Sequence, residues 1–270
     1  MDVATMLLAG DIDGAAFTAA VARATPDELR AAIALGASAD PDVRRNVAMQ
    51  LPFLTTEGPP LAEAVEAAVA LSADRDPRVR DWACTALGEQ WREVDTPELR
   101  DALAARLDDA DDDARCEALV GLAYRLDDRA RPAVRAALTR PDGHVWRLEL
   151  VAAAALGDSE LHPLVVRHQD GWSDDAGARS AATALRLTDP GGPGDDMFDG
   201  VAELSRRRAR GEPDGDALSW WSVMSDLLDV ATWRSREFLD EVVRRLGDDA
   251  GAVREIEERS ALSVLASDEA

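Results

Sequence analysis

The chain has 270 residues, of which 46% are hydrophobic and only 4% aromatic, a composition that favours close-packed helices over strands. Its 53 acidic residues outnumber 30 basic residues, all arginine, and the net charge of −23 disfavours nucleic acid and anionic membranes as partners. Adaptation to a salt-rich cytoplasm or GC-rich coding DNA explains the same charge without any partner. With two cysteines, no signal-peptide pattern and no apolar run near ~20 residues, we expect a cytoplasmic protein that does not span a membrane.

The first predicted element is an N-terminal helical hairpin. One helix lies around Phe17, and a second begins at Thr25, where Thr25 and Glu28 form the Thr-x-x-Glu pattern of a capping box around Pro26. Gly36 is the expected stop of this second helix. We predict that the hairpin closes one end of the helical stack that follows.

A repeated phrase then runs as far as Leu185. Its copies are DPDVRRNVAMQL from Asp40, DPRVRDWACTAL from Asp76, DDDARCEALVGL from Asp111, WRLELVAAAALG from Trp146 and DDAGARSAATAL from Asp174. The aligned leucines are 36, 35, 34 and 29 residues apart, at Leu51, Leu87, Leu122, Leu156 and Leu185. A period of this size is typical of a repeat architecture.

Each copy predicts one helix with a buried stripe. In the second copy, Val79, Ala83 and Leu87 fall on one helical face. Asp76 can cap this helix, and Pro77 suits its first position because no backbone donor is lost there. A second apolar-periodic segment follows each of the first four copies, from Leu61, Thr96, Ala130 and Ser159. One such hairpin cannot bury its apolar stripe alone, so we predict an all-α protein in which successive hairpins stack as an α-solenoid.

The full phrase, D-P-x-V-R-x-x-A-x-x-A-L, resembles the HEAT repeat, in particular the short bacterial variety also found in phycobilin-lyase-like proteins. Arg44, Arg80 and Arg115 fall on the arginine position of that family, whereas the aligned positions of the last two copies hold Glu149 and Ala178. The resemblance implies a right-handed superhelical solenoid that binds other proteins. Only a minority of the family are enzymes.

The sequence changes character after the last copy. The segment 188–196, TDPGGPGDD, cannot continue a helix, and we predict a loop there between a repeat region, 1–187, and a C-terminal region, 197–270. The C-terminal region is expected to form four helices, at about 197–210, 217–233, 236–246 and 252–265. These helices either extend the solenoid or cap it as a bundle.

The first set of candidate residues is predicted to join one repeat to the next. Each arginine of the column lies beside acidic turns and is expected to pair with an aspartate of its own or the neighbouring repeat, with Asp74, Asp76, Asp111 and Asp113 as the nearest choices. The alternative is a stripe that binds anions. The stacking set comprises Arg44, Arg80, Arg115, Asp40, Asp76 and Asp111.

The second set of candidates consists of tryptophans. The chain has seven tryptophans and a single tyrosine, and tryptophan is enriched among the anchors of protein interfaces. The candidate partner-binding residues are Trp82, Trp91, Trp146, Trp172, Trp220 and Trp221. The alternative at each site is that the ring fills a gap between alanine-rich helices. Trp220 and Trp221 are 100° apart on a helix, so both rings cannot easily face one core.

The sequence contains no recognisable catalytic or metal-binding pattern. His162 and His168 are six residues apart, whereas a zinc pair on one helix needs a spacing of three or four. The GGPG segment lacks the lysine of a phosphate-binding loop. We therefore predict no catalytic residue, no metal and no cofactor.

The hypothesis that follows is a non-catalytic protein-binding scaffold or adaptor whose acidic groove holds a basic protein or peptide. One alternative is an immunity or antitoxin protein that covers a basic toxin. Another, from a different class, is a HEAT-like DNA glycosylase or a lyase-type enzyme, although the net charge has the wrong sign for DNA. The sequence does not indicate the oligomeric state.

Overall fold

The computed structural model describes residues 1–55 and 58–268, with side chains described as far as residue 259. Within these ranges every regular element is a helix and no strand occurs, which confirms the predicted all-α class. The chain divides into two compact units, Met1–Ala133 and Val134–Ala270. This division lies far upstream of the predicted 188–196 loop.

Unit 1 consists of short helices that begin at the predicted signals. Thr25 and Glu28 form the expected capping box, and Asp40 and Asp76 accept hydrogen bonds from the first turns of the helices that follow them. The helices are α1 (Val3–Ala9), α2 (Ala15–Val21), α3 (Pro26–Ala34), α4 (Pro41–Gln50), α5 (Ala62–Leu71), α6 (Pro77–Thr85), α7 (Pro97–Ala104) and α8 (Asp112–Tyr124).

The helices of unit 1 pack in two rows. Helices α4, α6 and α8 follow one another in one row, and α3, α5 and α7 form the other. Val79, Ala83 and Leu87 are fully buried between the rows, as the stripe predicted. Stacked helical hairpins of this kind are the arrangement of an α-solenoid.

The end of α6 departs from the α-helix. Residues Ala86–Gln90 form a π-helical turn, and Gly88 in this turn lies against Gly121 of α8. A Cβ atom added to Gly121 would lie only 2.5 Å from the Cα atom of Gly88. The two backbones approach so closely because neither residue carries a side chain.

Unit 2 begins within α9 (Ala130–Leu138), which crosses the boundary between the units. The remaining helices are α10 (Arg147–Leu156), α11 (His162–Val165), α12 (Asp175–Thr188), α13 (Asp195–Ala209), α14 (Leu218–Val230), α15 (Ser235–Leu246) and α16 (Ala250–Asp268). The single helix expected from Ser159 is instead the one-turn α11 between two 3₁₀ turns. Pro163 lies in the first turn of α11, the part of a helix in which proline is tolerated.

The last helices of unit 2 pack around α13. Helix α10 lies along α12, whereas α14, α15 and α16 all pack against α13. The loop between α12 and α13 therefore joins two helices of the same unit. Residues 195–259 form a helical bundle rather than a further row of hairpins.

Candidate partner-binding surfaces

The arginine column of unit 1 joins each repeat to the next. Nε and Nη2 of Arg44 donate to the two carboxylate oxygens of Asp74, at 2.7 and 2.9 Å. The remaining donor, Nη1, bonds the carbonyl oxygens of Ser38 and Ala39 in the preceding turn. These hydrogen bonds hold the pKa of Asp74 below its usual value, although burial acts in the opposite direction. Arg44 therefore connects the turns before α4 and α6.

The same arrangement recurs one repeat later. Arg80 forms two hydrogen bonds with the carboxylate of Asp109, at 2.8 and 2.6 Å, and a third with the carbonyl oxygen of Asp74. At Arg115 the series ends, because this side chain bonds the carbonyl of Asp109 and pairs with Asp112 of its own helix. Two arginines of the column therefore bridge consecutive repeats, and the third bonds only its own turn and helix.

The aspartates predicted for stacking have a different role. Asp40, Asp76 and Asp111 each cap the helix that follows them and do not bind an arginine of the column. Their carboxylates accept backbone N–H groups of their own first turn. The bridging carboxylates lie two residues earlier than two of these caps, at Asp74 and Asp109, and each also accepts the N–H of the capping residue. The prediction that Asp40, Asp76 and Asp111 join one repeat to the next is therefore wrong, and these residues cap helices instead. Asp113, also named as a partner, does not pair with the column either.

A buried arginine outside the column holds the π-helical end of α6. The guanidinium of Arg125 lies inside unit 1 and donates to five backbone carbonyl oxygens, those of Leu87, Gly88, Trp91, Val94 and Gly121. Burial lowers the pKa of Arg125 to about 10, which still leaves it charged at neutral pH. This role was not predicted, because the only sequence signal at the position is an arginine at the end of an apolar helix.

Trp82 is the tryptophan of unit 1 that reaches solvent. It lies on α6 beside the buried stripe, and 36% of its surface is exposed. Its neighbour Asp81 is half-buried, and among the described residues no hydrogen bond or cation offsets the burial of its carboxylate. Burial, with added repulsion from Asp113 and Asp111, raises the pKa of Asp81 to about 6. We call the outward residues Asp81, Trp82 and Asp113 of α6 and α8 the Trp82 face.

Trp91 was predicted as a partner-binding anchor, and that prediction is wrong for the folded protein. The residue is only 4% exposed, immediately after the π-helical turn. The extra residue in each π turn changes the direction in which the following side chain points, and Trp91 is directed inward as a result. A buried ring of this kind contributes to the core.

Two tryptophans of unit 2 that were predicted to bind a partner line the same cleft. Trp146 and Trp172 both line a cleft of about 590 Å³ between the turns that precede α10 and α12. Trp146 is 38% exposed, and the ring of His144 packs edge-on against it with 4.7 Å between the centroids. Trp172 is half-buried and donates from Nε1 to the carbonyl oxygen of His168 at 2.9 Å.

Trp220 and Trp221 pack against different neighbours rather than in one common core. A Cβ atom added to Gly200 would lie 2.5 Å from the Trp220 ring, so this ring rests directly on α13. The guanidinium of Arg208 lies 4.9 Å from the centroid of the Trp221 ring. Each indole is half-buried, in agreement with the expectation that the two rings cannot share one core.

Trp233 was not predicted to bind a partner, although it is more exposed than any tryptophan that was. It is 45% exposed, and its Nε1 donates to the carbonyl oxygen of Ala155 at the end of α10. It also lines a wider cleft of about 970 Å³ together with the Pro190–Pro193 loop. Trp233 lies in a 3₁₀ turn together with Thr232 and Arg234. No signal in the sequence distinguished this turn from the end of α14.

The histidines of α11 and its flanking turn are bound to separate partners. Nδ1 of His162 lies 3.1 Å from the hydroxyl of Thr188, and Nε2 of His168 donates to the carbonyl oxygen of Leu138 at 3.0 Å. Across the side chains that the structure describes, no three metal-binding groups come together. In the same part of the chain, no helix is both long and apolar enough to cross a bilayer.

Comparison with known proteins identifies the repeats of unit 1. A family model described as HEAT repeats matches residues 27–115, which include the copies that begin at Asp40 and Asp76. Among solved structures, the crystal structure of Escherichia coli YibA, a structural genomics target, is similar with 23% identity and a TM-score of 0.48. The similarity covers 68% of this chain and 66% of YibA, so this chain spans slightly less than two thirds of that protein. No curated protein gives a match. On the evidence of the matched model and the stacked hairpins that these residues form, residues 27–115 of unit 1 consist of HEAT repeats.

Proposed function

We propose that this protein is a non-catalytic scaffold that binds a basic protein or peptide through the Trp82 face. The observation that carries the proposal is the indole of Trp82, which is 36% exposed on a helix whose opposite side is fully buried. An exposed tryptophan on a rigid helix loses little conformational entropy on binding and buries a large apolar area.

The charges around Trp82 favour a basic partner. Asp81 is half-buried without a bonded cation, and Asp113 and Asp111 add negative charge close to it. A lysine or arginine of the partner would relieve this repulsion and could lie over the indole face. Repeats that stack by their turns leave the outward side of the helix row available for such contact.

The raised pKa of Asp81 makes this binding dependent on pH. Near pH 6 the carboxylate is half protonated, and a cationic partner binds its ionised form. Affinity should therefore rise as the pH increases from 5 to 7.5, provided that the partner keeps its charge. Added salt should weaken binding by screening the exposed charges.

The test is capture of partners from a lysate of the native host by wild-type protein, Trp82→Ala and Trp146→Ala. Trp146 is a matched control because its exposed fraction, 38%, is close to that of Trp82. We expect a basic protein that is retained by the wild type and Trp146→Ala at low salt, but lost by Trp82→Ala and at high salt. Circular dichroism establishes that each variant is folded.

Two outcomes contradict the proposal. The first is a partner retained equally by Trp82→Ala and the wild type, which would exclude the Trp82 face. The second is an acidic partner or nucleic acid captured through Trp82, which would exclude the charge argument. A basic nuclease among the captured proteins would identify the scaffold as an immunity or antitoxin protein.

A further inference from the structure

The cleft that contains Trp146 and Trp172 has a chemistry unlike that of the Trp82 face. It lies within unit 2, where α10 and α12 run side by side and the turns before them face each other. Residues 143–147 form one wall, and residues 167–168, 170–174 and 176 form the other. A volume of about 590 Å³ is within the range of small-molecule sites, about 300–1,000 Å³.

The aromatic rings of this cleft are held in fixed positions. Trp172 packs closely against the start of α12, since a Cβ atom added to Gly177 would lie 2.1 Å from its ring. Its Nε1 is bonded to the carbonyl of His168, whose own Nε2 donates to Leu138. Across the cleft, the edge of His144 supports the more exposed ring of Trp146. Rings that are already ordered lose little entropy when a ligand stacks on them.

The cleft also contains two arginines that are not used for ion pairs. Arg147 and Arg167 are both exposed, and neither has a carboxylate within 4.0 Å among the described side chains. Their neighbour Arg140 is different, because it donates to both carboxylate oxygens of the buried Glu149. In a chain with a net charge of −23, these two guanidinium groups place positive charge at the cleft that holds the exposed indole of Trp146.

One of the two carboxylates of the cleft is already engaged in capping a helix. Asp174 and Asp170 are its two acidic side chains, and Asp174 already accepts the N–H of Gly177 as the cap of α12. Helices α10 and α12 both begin at this cleft, so the positive ends of two helix dipoles add to the charge of the arginines. The guanidinium fork matches the oxygens of a carboxylate or a phosphate.

We propose that this cleft binds a small molecule in which an anionic group is joined to a planar ring. Arg147 and Arg167 bind the anion, and the ring stacks against Trp146. An aromatic carboxylate and a nucleotide share this chemistry. The proposal is independent of the protein-binding function, because no residue of the Trp82 face takes part.

The test is isothermal titration calorimetry of the full chain at low salt with four probes: salicylate, adenosine 5′-monophosphate, adenosine and inorganic phosphate. We expect saturable binding of at least one of the first two, with adenosine and phosphate each about tenfold weaker or more. Binding of salicylate alone would identify a carboxylate ligand, and binding of the nucleotide alone would identify a phosphate ligand. Either result supports the site.

Variants locate the bound probe. Arg147→Gln and Arg167→Gln should each weaken binding by about tenfold, and Trp146→Ala should weaken it by a similar factor. Arg179→Gln is the matched control, since Arg179 is an exposed arginine of α12 outside the cleft. These side chains are exposed, so the fold should persist, and circular dichroism checks this.

Several results would overturn the proposal. One is the absence of saturable binding of both salicylate and the nucleotide up to about 5 mM. Another is adenosine or phosphate bound as tightly as the complete probe, which would show that the anion or the ring is not recognised. A third is equal affinity of Arg147→Gln, Arg167→Gln and Arg179→Gln, which would place the probe elsewhere.

Discussion

The two units keep their helices together by different means. In unit 1, buried pairs such as Arg80 with Asp109 connect consecutive turns at the same position of each repeat. In unit 2 the aligned helix position holds Glu149, which pairs with Arg140 of its own preceding turn. The bundle around α13 combines aromatic contacts, such as Trp220 on Gly200, with ion pairs from Arg245 of α15 to Asp195 and Asp199 of α13, and none of these contacts recurs at the repeat spacing.

This difference explains where the repeat pattern remains visible in the sequence. A bridge between turns requires an arginine and an aspartate at a fixed spacing, so the sequence of unit 1 stays periodic. A large ring can contact a helix from many positions, and the period is lost where rings carry the packing. The HEAT match, residues 27–115, includes both bridging arginines, Arg44 and Arg80.

The strongest test of this comparison is Arg80→Met, with Arg78→Met as its control. Removing Arg80 leaves the buried carboxylate of Asp109 with only the longer ionic contact from Arg106, at 3.3 Å, and we expect a loss of about 2.5 kcal/mol in the free energy of unfolding. The side chain of Arg78 is 52% exposed, and its loss should cost less than about 0.5 kcal/mol. Urea denaturation measures both. Equal effects would show that the bridges do not stabilise unit 1.

In unit 2 the corresponding test is Trp220→Ala. The half-buried ring covers Gly200, and its removal should lower the free energy of unfolding by about 2 kcal/mol. Hydrogen exchange should increase in α13 and α14 while the exchange of α4 and α6 stays unchanged. A stable variant with normal exchange would mean that the ring serves a surface role and that the comparison between the units is wrong.

The smallest expected effect concerns Asp81. Its pKa of about 6 lies above the ordinary value of 3.8, so the folded state binds a proton more tightly than the unfolded state does. Stability is therefore lost as the pH rises from about 4 to 6 and remains lower above that range. Asp81→Asn should raise the free energy of unfolding by roughly 1 kcal/mol at pH 8, because partial exposure reduces the effect, and by nothing at pH 4.

Thermal melting at both pH values measures the effect of Asp81→Asn. Asp128→Asn, at an exposed aspartate of the same unit, is the control. A gain at pH 4 as large as that at pH 8 would assign the effect to packing rather than to charge.

Local signals in the sequence predicted the helix starts well. The caps at Thr25, Asp40 and Asp76 and the buried stripe through Leu87 appear where expected, because each depends on residues within one or two turns of a helix. The all-α class and the HEAT repeats follow from the same short-range patterns.

Features that depend on contacts between distant residues were not predicted. The inward position of Trp91 follows from the π-helical turn, which is bonded by Arg125 more than 30 residues later. The choice of Asp109 as the partner of Arg80 depends on how the next turn folds, whereas the sequence pattern had pointed to Asp111 in the same turn. The cleft of Trp146 and Trp172 likewise forms only when two separate turns meet.

The double role of Asp74 bears on how such a protein can change its length during evolution. Its carboxylate receives Arg44 from the preceding repeat and the N–H of Asp76 from its own turn, and Asp109 occupies the equivalent place one repeat later. Deletion of one whole repeat would present Arg44 with Asp109, the same group in the same setting. The loss of part of a repeat would separate the arginine from any such carboxylate. Recombination should therefore add or remove complete repeats in this region and be selected against within them.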